Sequence, residues 1–161
     1  MIAIGDKLPA GEFHVMGASG PEKVSADSLF AGRKVAMFGV PGAFTPTCHA
    51  QHVPSFVGAA DDLKAKGVEE IVCLSVNDPF VMGAWGEALN ASSAGMKMLA
   101  DADASYTKAL GLDFDGSAVG LISRTLRFSL YAEDGVVKAL NVEEAPGQCG
   151  ITKGEALVDQ I

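Results

Sequence analysis

The sequence predicts an α/β domain with a central mixed sheet flanked by helices, and three observations predict it. Short apolar runs bounded by turn residues, such as Lys34–Val40 closed by Pro41-Gly42, read as buried strands. Stretches with apolar residues at helical spacing lie between them, so that strand and helix alternate. Towards the C-terminus two strand-like runs flank Asp134-Gly135, a two-residue hairpin signal, and the antiparallel pair it implies makes the sheet mixed.

Taken in order, Lys34–Val40 is the first and most central strand. Thr45 is placed to cap a helix whose first position is Pro46, a residue with no N–H to leave orphaned. That helix extends to about Lys64, with Val53, Phe56, Ala60 and Leu63 on its apolar stripe. Glu70–Val76 reads as the next buried strand, Pro79 to about Ala91 as a helix, Lys97–Ala100 as a short strand and Ala102–Leu110 as a helix. Leu126–Tyr131 alternates, which puts Arg127, Ser129 and Tyr131 on one face and Phe128 and Leu130 on the other. Val136–Val142 returns after the turn, and a helix from about Lys153 closes the chain. There is no internal repeat, low-complexity tract or linker, and one domain over 1–161 is expected.

Composition narrows the partners. A chain of 161 residues that is 48% hydrophobic and 20% charged has ordinary globular usage and enough length for a sizeable core. With 12 basic against 20 acidic residues and a formal charge of −8, it lacks the basic balance that nucleic acid or an anionic membrane surface demands. No apolar run approaches the roughly 18 residues of a membrane span. Met1-Ile2-Ala3-Ile4-Gly5-Asp6 turns acidic too soon for a secretion signal, so a cytoplasmic location is expected.

The chemistry centres on Cys48, which falls in the first turn of the helix after the central strand. There the unpaired N–H groups and the positive end of the helix dipole favour a thiolate over a thiol. A cysteine is more often a small buried residue, but this context favours a nucleophile. The placement resembles that of thioredoxin-like redox proteins, except that their Cys-x-x-Cys pair is broken here by Thr45 in the first position. Dithiol exchange within the motif is excluded, and a single sulfur suited to accepting an oxygen atom remains.

The other candidates leave alternatives open. Three cysteines do not make a disulfide scaffold and suit a reducing compartment. Cys73 is a core residue of its strand or a second reactive thiol, while Cys149 lies in Ala145-Pro146-Gly147-Gln148-Cys149-Gly150, a loop by composition. Cys48 and His52, four apart, share a helix face, but with His49 pointing elsewhere they make no closed zinc site, and no metal or organic cofactor is expected. His14 has no motif around it. Arg127 is either a solvent-facing strand residue or the partner of a buried anion, with Arg124 as its fallback.

Pro41, Thr45 and Cys48 form Pro-x-x-x-Thr-x-x-Cys, and the string Pro-Gly-Ala-Phe-Thr-Pro-Thr-Cys-His from Pro41 to His49 resembles the active-site loop of the peroxiredoxins, in their atypical type II, peroxiredoxin-five-like branch. Gly5-Asp6-Lys7-Leu8-Pro9, Ser75–Met82 with Trp85, Arg127-Phe128-Ser129 and Asp134–Glu143 extend the resemblance over nearly the whole chain. It implies a decorated thioredoxin-like fold and a thiol-dependent peroxidase acting on hydrogen peroxide, organic hydroperoxides or peroxynitrite. Cys48 would attack a peroxide oxygen and become a sulfenic acid. Arg127, the Thr45 hydroxyl and backbone N–H groups would hold the peroxide, and Pro41 would shield the thiolate. Cys73, 25 residues after Cys48, or Cys149 would be the resolving thiol if it is internal; glutathione, glutaredoxin or thioredoxin would supply it otherwise. The resemblance also implies a homodimer. A redox sensor or chaperone using the same cysteine would lack turnover with a reductant, and a non-catalytic interaction domain would tolerate Cys48→Ser.

Overall fold

A computed structural model describes all 161 residues, Met1–Ile161. Its centre is a seven-stranded sheet in the order β2-β1-β5-β4-β3-β8-β9. The strands are β1 (Glu12–Gly17), β2 (Gly20–Ser25), β3 (Lys34–Gly39), β4 (Glu70–Ser75), β5 (Lys97–Ala100), β8 (Phe128–Glu133) and β9 (Val136–Val142). β3, β4 and β5 are parallel, and β1 and β8 pair antiparallel on either side of them, so the sheet is mixed as expected. A separate hairpin, β6 (Asp113–Gly116) and β7 (Leu121–Thr125), lies outside it.

The continuous apolar runs of β3 and β4 follow from burial on both faces. Ala36, Phe38, Ile71 and Cys73 face one core with α2 (Val53–Ala65), α3 (Pro79–Ala88) and α5 (Gly154–Val158), contributing Phe56, Leu63, Trp85 and Leu157. Val35, Met37, Val72 and Leu74 face a second core with α1 (Ala26–Phe30) and α4 (Ser105–Leu110). Ser129 and Tyr131 sit opposite Phe38 and Ala36 across the β3–β8 ladder. The face of β8 anticipated to carry Arg127 is therefore the face that carries Cys73.

Caps and turns explain the boundaries. Asp78 accepts from the Val81 N–H and Pro79 opens α3, while Asp101 accepts from the N–H groups of Tyr106 and Thr107. Asp134 and Gly135 both take positive φ, 48° and 73°, as the two-residue β8–β9 turn requires. α3 and α4 are shorter than the sequence suggests, and the β1–β2 and β6–β7 hairpins and α1 are additions to it. β2 is a polar edge strand holding Pro21, Glu22 and Lys23, so it has neither a buried run nor clear alternation to announce it.

Candidate active site

The site forms where the carboxyl ends of β3 and β4 meet the start of β8, the usual place for chemistry in an α/β sheet. After β3 the chain turns through the buried Pro41 and enters a helical segment. Asn77, just past β4, accepts from the Ala43 N–H at 3.0 Å and from the Ser75 hydroxyl at 2.6 Å, fastening the turn to the neighbouring strand. Arg124 of β7 donates to the Pro41 carbonyl at 3.1 Å, and Gly42 leaves the space that its guanidinium occupies. The fallback arginine thus holds Pro41 and does not reach the sulfur.

The Thr45 carbonyl accepts from the His49 N–H at 2.9 Å, as a capping residue's should. Its side chain departs from that role: the hydroxyl donates to the Gly42 carbonyl at 2.6 Å. With its proton committed, the Thr45 oxygen has lone pairs left for a ligand. The helix does not run evenly either. Cys48–His52 is a π-helical turn before α2, with the Val53 N–H on the Cys48 carbonyl. Pro54 accounts for this, since it has no N–H and its ring would press on the Ala50 carbonyl in a regular helix. The Ser55 hydroxyl takes up the His52 carbonyl at 2.7 Å.

Cys48 is completely buried. Arg127 immediately precedes β8 and is only 2% exposed. One Nη2 hydrogen points at the Cys48 sulfur at 3.2 Å. Its Nη1 donates to His52 Nδ1 at 3.1 Å, and Nε and Nη2 donate to the Pro146 carbonyl at 3.2 and 2.8 Å. A fifth N–H remains for a ligand. The alternation of β8, extended back by one residue, therefore aims Arg127 at the thiol, and the arginine is not a solvent-facing strand residue.

His52 is fixed in one tautomer by its two partners. A carbonyl can only accept, so Nε2 carries the proton donated to the Thr152 carbonyl at 2.9 Å, and Nδ1 is the acceptor for Arg127. Burial, reinforced by the Arg127 charge, pushes His52 down to about 3 against the effect of the Thr152 bond. The unfolded chain accordingly gains a proton at this residue below about 6.5, whereas the folded chain refuses it until about 3. Stability is complete above the upper value and falls through the window by up to roughly 1.4 kcal/mol per pH unit. Urea unfolding from neutral pH down to about pH 5 should show wild type weakening faster than His52→Gln; parallel loss would contradict this. His49 is occupied elsewhere, accepting from Trp85 Nε1 at 3.2 Å and stacking on Phe44.

The two remaining cysteines differ in setting. Cys73 is fully buried in β4 in the same core as Cys48, and burial, with the charge at Cys48 adding to it, pushes its thiol well up. Cys149 is partly exposed in the loop between β9 and α5. Burial pushes it up too, opposed by Arg127 and by a bond with the Thr152 side chain. His52, Pro146, Thr152 and Glu143 are the partners that the sequence did not identify as such. Only Pro54, in the first turn of α2 and six residues after Cys48, could have signalled that this stretch is specialised.

The fold thus buries a cysteine sulfur under an arginine N–H, and the chain that does so has known relatives. The redoxin family pattern matches residues 3–157. Peroxiredoxin-2C of Oryza sativa subsp. japonica is 48% identical over 161 residues, covering 99% of this chain and 98% of that protein. The chain belongs to the redoxin family, as a peroxiredoxin. Peroxiredoxin-2B of Arabidopsis thaliana is 48% identical over 143 residues, 88% of each chain. Among solved structures, reduced Prx3 from Vibrio vulnificus in complex with hydrogen peroxide superposes with a TM-score of 0.92 at 46% identity, covering 99% of this chain and 98% of that one. This peroxiredoxin has the thioredoxin-like fold of those structures and is a thiol-dependent peroxidase. Some similar peroxiredoxins are mitochondrial or chloroplastic.

Proposed function

We propose that Cys48 is the peroxidatic nucleophile, held as a thiolate by Arg127, and that Thr45 and Arg127 together align the peroxide. The observation that carries this reading is the buried guanidinium 3.2 Å from the sulfur, because its other partners, the Pro146 carbonyl and neutral His52, bring no compensating negative charge. A buried cation calls for an anion, and a thiolate supplies one at the reacting atom.

The thiolate attacks the near oxygen of the peroxide, forming an S–O bond as the O–O bond breaks. The departing oxygen takes a proton and leaves as water or an alcohol, and Cys48 becomes a sulfenic acid. Arg127 and backbone N–H groups of the first helical turn stabilise the charge as it moves onto the leaving oxygen. The Thr45 oxygen, whose own proton rests on Gly42, accepts from the peroxide hydrogen and orients it. Thr45 and Thr47 are partly exposed, so a molecule two oxygens across enters from this side of the turn. Pro41 keeps bulk water off the sulfur.

A thiol then condenses with the sulfenic acid, releasing water and forming a disulfide, and a second thiol restores Cys48. The external route through glutathione with glutaredoxin, or thioredoxin, is favoured because the Cys73 thiol is buried and pushed away from its reactive form. Cys149 is the second candidate, on the strength of its proximity to the Arg127 charge. Cys73→Ser and Cys149→Ser should each retain turnover with an external dithiol; a loss on either substitution would name that residue as the resolver. The need for a steady thiol supply supports a reducing, cytoplasmic setting. A homodimer is proposed, with Phe44, Phe80 and Ile122, large apolar residues each more than half exposed, as side chains it could bury.

A further inference from the structure

We infer that Glu143 is a positioning residue, whose carboxylate ties down the loop to Thr152 so that the Pro146 and Thr152 carbonyls hold Arg127 and His52 in register with the Cys48 sulfur. The inference rests on the peroxidatic reading of Cys48 above.

Four observations carry it. First, the segment from Glu144 to Thr152 has neither helix nor strand, and all of it up to Gly150 is exposed except Cys149. Such a segment has little apolar contact to order it. Second, this loop supplies the acceptors that orient the site: Pro146 takes two N–H groups of Arg127, and Thr152 takes Nε2 of His52. A loop cannot be positioned by the very groups it positions, so an independent anchor is required.

Third, Glu143 is that anchor. Its Oε1 accepts from the Gly150 N–H at 2.6 Å, the Thr152 N–H at 3.1 Å and the Thr152 hydroxyl at 2.9 Å, closing the loop on itself. Burial raises the Glu143 carboxyl, yet these bonds and the Arg127 charge together bring it below its usual value, so it is ionised at neutral pH. The other outside tie, the Thr47 hydroxyl on the Gly147 carbonyl at 3.2 Å, is a single neutral bond. Fourth, the Glu143 N–H donates to the Arg127 carbonyl at 3.0 Å, continuing the β8–β9 ladder beyond Phe128 and Val142. One residue thus fixes the backbone of Arg127 and, through the loop, its guanidinium. Nothing in this arrangement brings Glu143 to the sulfur, so its effect passes through Arg127 and His52.

The test compares single-turnover oxidation by hydrogen peroxide with alkylation of Cys48 by iodoacetamide, at a temperature where circular dichroism shows every variant folded. Alkylation reads only the availability of the thiolate, whereas oxidation also needs Arg127 correctly placed on the peroxide. Glu143→Ala should lower the peroxide rate constant by about tenfold to a hundredfold, the cost of a misplaced catalytic group, with a smaller change in alkylation. Glu143→Gln, which keeps an acceptor oxygen, should recover much of the loss, and Thr152→Val, which removes one of the three bonds, should lose a few-fold. Glu144→Gln, an exposed neighbour, should match wild type. Equal rates for wild type and Glu143→Ala, or equal losses in both reactions for Ala and Gln alike, would overturn the assignment. A wild type that fails to oxidise at Cys48 would instead overturn the reading on which it rests.

Discussion

Cys48→Ser is expected to leave a folded protein whose peroxide consumption falls by at least about 10³-fold, to background. A serine hydroxyl keeps its proton at neutral pH even beside an arginine, and its oxygen cannot accept an oxygen atom to give a sulfenic acid analogue. The packing change is small. The site is fully buried, and Arg127 Nη2 can donate to a hydroxyl oxygen as it does to sulfur. Some stability should still be lost, because the buried Arg127 no longer has a thiolate to balance its charge, and urea midpoints should confirm that the variant is folded where activity is measured. The assay is peroxide disappearance with dithiothreitol as reductant. Turnover surviving in Cys48→Ser would mean that another thiol carries the reaction.

Arg127 should show the second largest effect, and on two properties at once. Its guanidinium serves three acceptors lying in different directions: the Cys48 sulfur, His52 Nδ1 and the Pro146 carbonyl. Arg127→Ala strands His52 Nδ1 in the interior, at about 1–3 kcal/mol for an unsatisfied buried group, and releases the exposed loop at Pro146, so a lower urea midpoint is expected. Peroxide reduction, measured where the variant is still folded, should fall by about 10²–10³-fold with the loss of charge stabilisation at the reacting oxygens. Arg127→Lys discriminates between charge and geometry. An ammonium supplies the charge but not the planar fork, so the lysine variant should stay well below wild type. Wild-type activity in Arg127→Lys would reduce the arginine to a point charge, and wild-type activity in Arg127→Ala would remove it from the site.

The parts of this molecule that were legible in its sequence are those whose burial is local and symmetric. β3 and β4 announce themselves because both faces are packed, and Asp134-Gly135 because a two-residue hairpin needs positive φ at both central positions. β2, β6 and β7 are short, polar or at edges, where solvent removes the pattern. In the site, Thr45, Cys48 and Pro41 lie within one turn and form a recognisable string. The bond from Arg127 to Cys48 spans 79 residues, and that from Thr152 to His52 spans 100. Spacing along the chain carries no trace of such pairs. His52 illustrates the limit: its helical offset from Cys48 places it on the correct face, but only the fold shows that it takes Arg127 on one nitrogen and a carbonyl on the other.

The most direct measurement mixes the fully reduced protein with one equivalent of hydrogen peroxide and no reductant, quenches within a second with a sulfenic-acid trap, and maps all three cysteines by peptide mass. The trapped sulfenic acid should lie on Cys48 in near-stoichiometric yield, with Cys73 and Cys149 still thiols. A Cys48 that remains a free thiol while the peroxide persists, or while another cysteine is oxidised, would contradict it.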